Sequence, residues 1–248
     1  MPLIEGADPV KHDGGPIGVL LVHGFTGSPK SMKGWAEALN EAGYTTSVPR
    51  LPGHGTKWQD MNRTRWTDWY AEVAHAFDEL REKCDTVFVF GMSMGGTLAT
   101  RLAEQRGDEV AGLALVNPAF FTTRPDRFLL PFIRHIVPAF PGISNDIKKP
   151  GQDEGAYTKI PLQAAYSLQQ LWQITKRDIG RVRQPILIFT STDDHVVETE
   201  NSEWLLEHVN SVDREQTILS DSYHVATLDN DAGVIFDQSL AFIKRLTV

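Results

Sequence analysis

A chain of 248 residues, 41% hydrophobic and 23% charged, has the size and composition of one large globular domain and not of a disordered or fibrous protein. Its formal net charge of −8, with no basic cluster or zinc-finger spacing, excludes nucleic acid as an expected partner. The single cysteine, Cys84, excludes an intramolecular disulfide; the first residues lack a basic stretch followed by an apolar run, and no apolar stretch is long enough to span a bilayer, so the expected setting is the cytoplasm.

Short apolar runs alternate with helical patterns, which predicts a mostly parallel sheet covered by helices. Residues 18–22 are apolar throughout, as expected of a strand buried on both faces. Ser28 offers an N-cap and Pro29 suits the first helical position; Met32, Trp35, Ala36 and Leu39 then share one face, and Gly43 can close that helix. Residues 45–50 read as the next strand and run into the loop Leu51-Pro52-Gly53-His54-Gly55. Trp66, Trp69, Tyr70, Val73, Phe77 and Leu80 recur at helical spacing. Residues 87–90 form another buried strand, and a helical pattern runs from Met94 to near Gly107. Further strands are predicted at 110–116, 185–189 and 216–219, with helices at 200–209 and 232–246.

One stretch breaks the alternation. Residues 117–183 show no clear buried strand and carry prolines at 118, 125, 131, 138, 141, 150 and 161. Two amphipathic pieces lie within it. One holds Phe128, Leu129, Phe132, Ile133 and Ile136; the other holds Ala164, Leu168, Leu171 and Trp172. Structureless loops of this length are uncommon in compact domains unless functional. The expectation is a small helical cap at 118–183, inserted into a core made of 1–117 and 184–248. Extra core helices behind the sheet are the alternative.

Gly91-Met92-Ser93-Met94-Gly95 lies between a predicted strand and a predicted helix. That context marks a nucleophile elbow, a sharp turn that holds a serine exposed above a sheet and needs very small residues on either side. The helix N-terminus there favours negative charge. A serine hydroxyl needs an adjacent base, and the base needs an orienting acid. His224, in Asp221-Ser222-Tyr223-His224, follows the last strand and is the candidate base. His135 falls in the cap, His195 directly follows the acid candidates and is expected to point away from them, and His208 sits on a solvated face with Glu203 and Glu207. Asp193 and Asp194 follow the penultimate strand; Asp194 is preferred because Val196 and Val197 can pack while its carboxylate turns towards His224. Backbone N–H groups of Met94 and Phe25 are the candidate oxyanion donors, Phe25 lying in His23-Gly24-Phe25-Thr26-Gly27 directly after the first strand. His23 is expected to brace that loop.

With these motifs assembled, the chain resembles the bacterial carboxylesterase and monoacylglycerol lipase branch of the α/β-hydrolases. The matching pieces are residues 21–27, 49–55, 91–96, 194–197 and 222–229. The resemblance implies the α/β-hydrolase fold with an eight-stranded, mostly parallel sheet flanked by helices and a small cap. It implies a serine hydrolase cleaving medium- or long-chain carboxylic esters or monoacylglycerols, with Ser93, Asp194 and His224 as triad and no metal or organic cofactor. Thioesterase or other acyl-hydrolase chemistry and a generalist carboxylesterase are the alternatives on the same scaffold, and a non-catalytic small-ligand receptor is the alternative of another class. Residues 147–157 also resemble the monoacylglycerol lipase cap. Glu154 is there the candidate acceptor for glycerol hydroxyls, with an exposed turn charge as the plainer alternative. Phe128, Phe132, Ile133, Leu168 and Leu171 are candidates for contact with the acyl chain. An exposed apolar cap would suit contact with a micelle or membrane, or with a second copy of the chain.

Overall fold

The computed structural model describes residues 2–247. Its first half contains β1 (Val10–His12), β2 (Ile17–Val22), α1 (Lys33–Glu41), β3 (Thr45–Val48), α2 (Trp58–Met61), α3 (Trp66–Arg81), β4 (Thr86–Met92), α4 (Met94–Arg106) and β5 (Leu113–Val116). The insertion adds α5 (Leu130–Ile133), β6 (Ala139–Pro141), β7 (Lys159–Pro161) and α6 (Leu162–Asp178). The chain closes with β8 (Ile186–Ser191), α7 (Glu200–His208), β9 (Arg214–Leu219) and α8 (Ala232–Thr247).

Seven strands form the main sheet in the order β1-β3-β2-β4-β5-β8-β9, parallel except for β1. Alternate residues of the central strands face opposite layers, as the pleat requires. Leu20 and Val22 of β2 and Val87 and Val89 of β4 face α3, α4 and α6. Val19, Leu21, Phe88 and Phe90 face α1 and α8. Both faces are dry, which is why these strands read as continuous apolar runs. Trp35 of α1 stacks on Phe90 with ring centroids 5.0 Å apart. Burying side chains of this size contributes on the order of 2–3 kcal/mol each, before the entropy of ordering them.

The sheet has seven strands among the described residues, not the eight expected. Pro2 and Pro9 flank the segment before β1, and Gly6 sits at φ +82°, so that segment turns instead of pairing as a further strand. β1 itself was not legible: it is a short, solvated Val-Lys-His edge strand without an apolar run.

The expected cap at 118–183 divides into two parts. Helix α6 packs on α3 and α4, and Leu168 and Leu171 lie in that core layer. Arg101 of α4 bridges Glu104 at 2.8 Å and Asp178 of α6 at 2.7 Å, joining the two helices. The packing of α6 is thus that of a helix in the core layer. The preceding stretch is thinly structured, with α5 and the small antiparallel pair β6–β7. It is fastened at both ends. At one end, Asn201 Oδ1 accepts the N–H groups of Phe120 and Phe121 at 2.6 and 2.9 Å, and Glu198 Oε1 takes both hydroxyls and one N–H of Thr122 and Thr123. At the other, Asp229 accepts the N–H groups of Lys148 and Lys149 at 2.7 and 2.8 Å. Between these ends Phe128, Leu129, Phe132, Ile136 and Ile143 are exposed.

Candidate active site

Parallel register brings the carboxyl ends of neighbouring strands into one line: Val22 pairs Gly91, Met92 pairs Val116, Val116 pairs Phe189, and Ser191 pairs Leu219. The loops leaving β2, β4, β5, β8 and β9 therefore meet at one edge, where open α/β sheets form their crevices. Phe25, Ser93, Asn117, Asp194 and His224 are carried by those loops.

Ser93 sits between β4 and α4 at φ 55° and ψ −122°, a left-handed conformation that costs a non-glycine residue roughly 1–3 kcal/mol. The surroundings hold it there. Its N–H donates to the Val116 carbonyl at 2.9 Å, and its carbonyl accepts from Gly96, Thr97 and Ala119. A Cβ on Gly91 would run into the Gly95 backbone, and one on Gly95 would run into the Val22 carbonyl, so strand and helix close on the serine only through glycine.

His224 and Asp194 meet directly. His224 Nδ1 lies 2.7 Å from Asp194 Oδ2, and the two side chains are 8% and 2% exposed. Asp194 Oδ1 accepts the N–H groups of Val196 and Val197, both at 2.8 Å. Burial pushes the Asp194 carboxyl up, but the His224 charge, its hydrogen bond and those two N–H groups outweigh it and hold the group below its ordinary value. Burial depresses the His224 imidazole, yet Asp194 and the more distant Glu154 and Asp146 raise it above its ordinary value. Asp193, the other acid candidate, is exposed and contacts His195 at 3.5 Å. His195, expected to point away from both acid candidates, keeps this Nε2 contact with Asp193, while its Nδ1 bonds Asp146 Oδ1 at 2.8 Å.

Ser93, His224, Phe25, Glu154, Asp146, His195 and Arg124 line one cavity of about 150 Å³. Met94 opens α4, so its N–H has no partner within the helix. Among the described residues neither that N–H nor the N–H of Phe25 meets another acceptor. The Phe25 loop is rigidly held. Buried His23 accepts the Leu51 N–H on Nε2 at 3.2 Å, which leaves Nδ1–H to donate to the Gly24 carbonyl at 3.0 Å. Burial pushes the His23 imidazole down to about 4, so it stays neutral and keeps this pattern near neutral pH. Phe25 packs edge-on against Trp69, and the Thr26 carbonyl accepts the Tyr157 N–H at 3.2 Å.

Glu154 is buried at the cavity wall. Its Oε1 accepts the Asn145 N–H at 3.1 Å, and its own N–H donates to Asn145 Oδ1 at 3.0 Å. Its other oxygen points beside Gly27. Burial pushes this carboxyl above its ordinary value. None of the five acyl-contact candidates lines the cavity: Leu168 and Leu171 face α3 and α4, Phe128 is exposed, and Ile133 is half-buried on α5. Phe132 is likewise exposed, away from the cavity. Ile143, Ile160 and Val196 supply apolar wall instead. Helical periodicity reports that a face is covered, not what covers it, so the apolar stripe of α6 reads alike as core or as cap.

Two braces were missed in the sequence. Asn117, at φ 43° just beyond β5, donates from Nδ2 to the His224 carbonyl at 2.8 Å and to Ser191 Oγ at 2.9 Å. A polar residue ending a buried strand at the site's edge was the available signal. Asp146 accepts the His224 N–H at 3.2 Å, and nothing in its Ser-Asn-Asp turn announces this. Among the described residues no group of three or more His, Cys, Asp or Glu is placed to hold a metal ion, and no helix is long and apolar enough to cross a membrane.

Residues 17–231 match the family Hydrolase_4, described as serine aminopeptidase, S33. The chain is 42% identical to a thermostable monoacylglycerol lipase of Bacillus sp. strain H-257, over 98% of this chain and 97% of that one. It is 25% identical to a carboxylesterase of Bacillus subtilis strain 168, over 96% of both. A solved structure from work on LipS and LipT, two metagenome-derived lipolytic enzymes, superposes with a TM-score of 0.95 at 41% identity, covering 98% of this chain and all of that one.

Proposed function

For a chain that belongs to the Hydrolase_4 family of serine hydrolases on the α/β-hydrolase fold, we propose hydrolysis of carboxylic esters, with monoacylglycerols and other medium- or long-chain acyl esters as preferred substrates. The observation that carries this reading is the buried 2.7 Å contact of His224 with Asp194 beside the strained Ser93 in one cavity.

The reaction is a two-step acyl transfer. His224 removes the Ser93 proton through Nε2 as Oγ attacks the ester carbonyl, while Asp194 holds Nδ1–H and stabilises the imidazolium that forms. The N–H groups of Phe25 and Met94 receive the oxyanion, and each such donor typically lowers the barrier by ~3 kcal/mol. His224 gives its proton to the leaving alcohol, and the acyl group stays on Ser93 Oγ. Water, deprotonated by His224, then attacks the acyl carbon, releases the fatty acid and returns the proton to Ser93.

Glu154 supports the monoacylglycerol preference. Its oxygen beside Gly27 can accept hydrogen bonds from glycerol hydroxyls, at a place where Asn145 fixes the carboxylate. A cavity near 150 Å³ suits a body the size of benzene. It takes the ester and its alcohol, so a long acyl chain must continue past Ile143 and Ile160 towards the outside of the insertion. There Phe132 and Ile136 are 72% and 84% exposed, beside Arg127 and Arg134. Exposed apolar side chains with arginines near them in the sequence support transient contact with a micelle or lipid surface. Pairing of two chains through the same surface, and a cytoplasmic location, are further parts of the proposal, tested by solution mass and by imaging of the tagged protein. The cap, in this reading, is the stretch before α6, with α6 belonging to the core.

The test is turnover of monoacylglycerols, simple esters and thioesters over a range of acyl lengths. Ser93→Ala is expected to remove activity on all of them. Full activity in that variant overturns the mechanism, and equal rates on short simple esters overturn the substrate preference in favour of a generalist.

A further inference from the structure

Residues 145–149 of the insertion lie against the loop that carries His224, and one carboxylate makes much of the joint. Asp146 Oδ2 accepts the N–H groups of His224 and His195, both at 3.2 Å, while Oδ1 meets His195 Nδ1 at 2.8 Å. The Asp146 carbonyl accepts the Val225 N–H at 3.1 Å. The side chain is 9% exposed, so water competes little for it. Asn145, the preceding residue, holds Glu154 over the cavity. One dipeptide thus touches both the carboxylate that faces the alcohol and the main chain of the candidate base.

We propose that Asp146 is a positioning residue that seats the His224 main chain, so that the imaginary line from Asp194 through the imidazole points at Ser93, and that His195 holds Asp146 in place for this task. The inference rests on the triad reading above. Its physical reason is that the Nδ1 contact with Asp194 fixes only one corner of the ring. The ring can still swing unless the peptide groups on both sides are held. Asn117 holds the carbonyl side and Asp146 the N–H side. At 3.2 Å each main-chain bond to Asp146 is long, so the seat depends on their joint hold together with the Val225 N–H and His195 Nδ1. Displacing a reacting group by about 1 Å can cost about a hundredfold in rate.

The His195 imidazole faces Asp146, Asp193 at 3.5 Å and the Tyr223 ring at 4.6 Å; the Asp194 charge acts on it from further off, and Arg124 lies on the cavity wall. It is half exposed, so its hold on Asp146 is screened and secondary to the main-chain bonds.

The experiment compares the full-length protein with D146N, H195Q, the double variant and S93A. Rates are measured on a small chromogenic ester and a monoacylglycerol, with active sites titrated. D146N is expected to lose about tenfold to a hundredfold in kcat on both substrates, with KM within about twofold. The acid limb of its kcat/KM profile moves to lower pH, because one of the carboxylates that raise His224 is gone. H195Q loses less, about threefold, and the double variant is no slower than D146N. Wild-type kcat per titrated site in D146N, with an unmoved acid limb, overturns the proposal even if the melting temperature falls. A loss confined to KM for the monoacylglycerol also overturns it, making Asp146 a substrate contact. Should D146N fail to fold, H195Q decides: wild-type kcat there overturns the proposal. Activity in S93A would instead overturn the hydrolase mechanism itself.

Discussion

His224 is held from two sides of unlike character. On the sheet side, Asn117 reaches its carbonyl from the end of β5, and Ser191 accepts from Asn117 while donating to Tyr223; Asn117 and Ser191 are buried. On the insertion side, Asp146 reaches its N–H, and the partner of Asp146 is a half-exposed histidine. The sheet side has strands with dry faces behind it. The insertion side has turns, prolines and exposed apolar residues. In the proposed mechanism the chemistry is thus built on the sheet side, whereas the groups that would choose the substrate stand on the thinly packed one. Such a division lets chain-length preference change without disturbing the elbow.

The sharpest break of this contrast is Asp194→Asn. It leaves the shape but removes the charge that orients and stabilises the His224 imidazolium, so kcat should fall about ten-thousandfold. The residual activity should also titrate at lower pH. In the unaltered protein, His224 is raised above its ordinary value of about 6.5, so kcat/KM falls as pH drops through a midpoint above that value. Without Asp194 the midpoint shifts down; a pH–rate profile of both proteins checks the sign. Next in size is Gly95→Ala. Its new methyl group would meet the Val22 carbonyl, with backbone on both sides, so a loss of about 3 kcal/mol or more in unfolding free energy is expected from denaturant melts.

On the insertion side the effects should be smaller and selective. Glu154→Gln should lower kcat/KM for a monoacylglycerol about tenfold relative to a simple ester of the same acyl chain. Equal losses on both would remove the alcohol role from Glu154. Smallest of all, Phe132→Ser with Ile136→Ser should leave a soluble short ester untouched and slow only micellar substrate, by about twofold to fivefold, since neither side chain lines the cavity.

The same contrast governs what could be read in advance. Strands such as β2 and β4 are buried on both faces, so composition alone reveals them, and their turns carry Ser93 and Phe25 in fixed places. His224 and Asp194 were accessible because chain order and loop position left few rivals. Their braces were harder to find, and only Asn117, a polar residue ending a buried strand, left a signal. Asn117 and Asp146 lie 107 and 78 residues from His224 and bond its main chain, which has no sequence identity to match. The seventeen residues of α6 show the opposite failure: their apolar stripe was plain, but a stripe that covers α4 looks the same as one that would cover a lipid.

The two fastenings of the insertion have a consequence for engineering. Phe120 to Thr123 are tied to Glu198 and Asn201, and Asn145 to Lys149 are tied to Glu154, His224 and Asp229. The stretch between, 124–144, leaves and rejoins the body at these two joints, and between them it is held by the pairing of β6 with β7 and by Arg134 on Gln163 of α6, contacts that a replacement must reproduce. It can serve as a graft: a segment of similar span from another esterase, spliced at these joints, would bring its own preference for chain length to an unaltered acid–base apparatus.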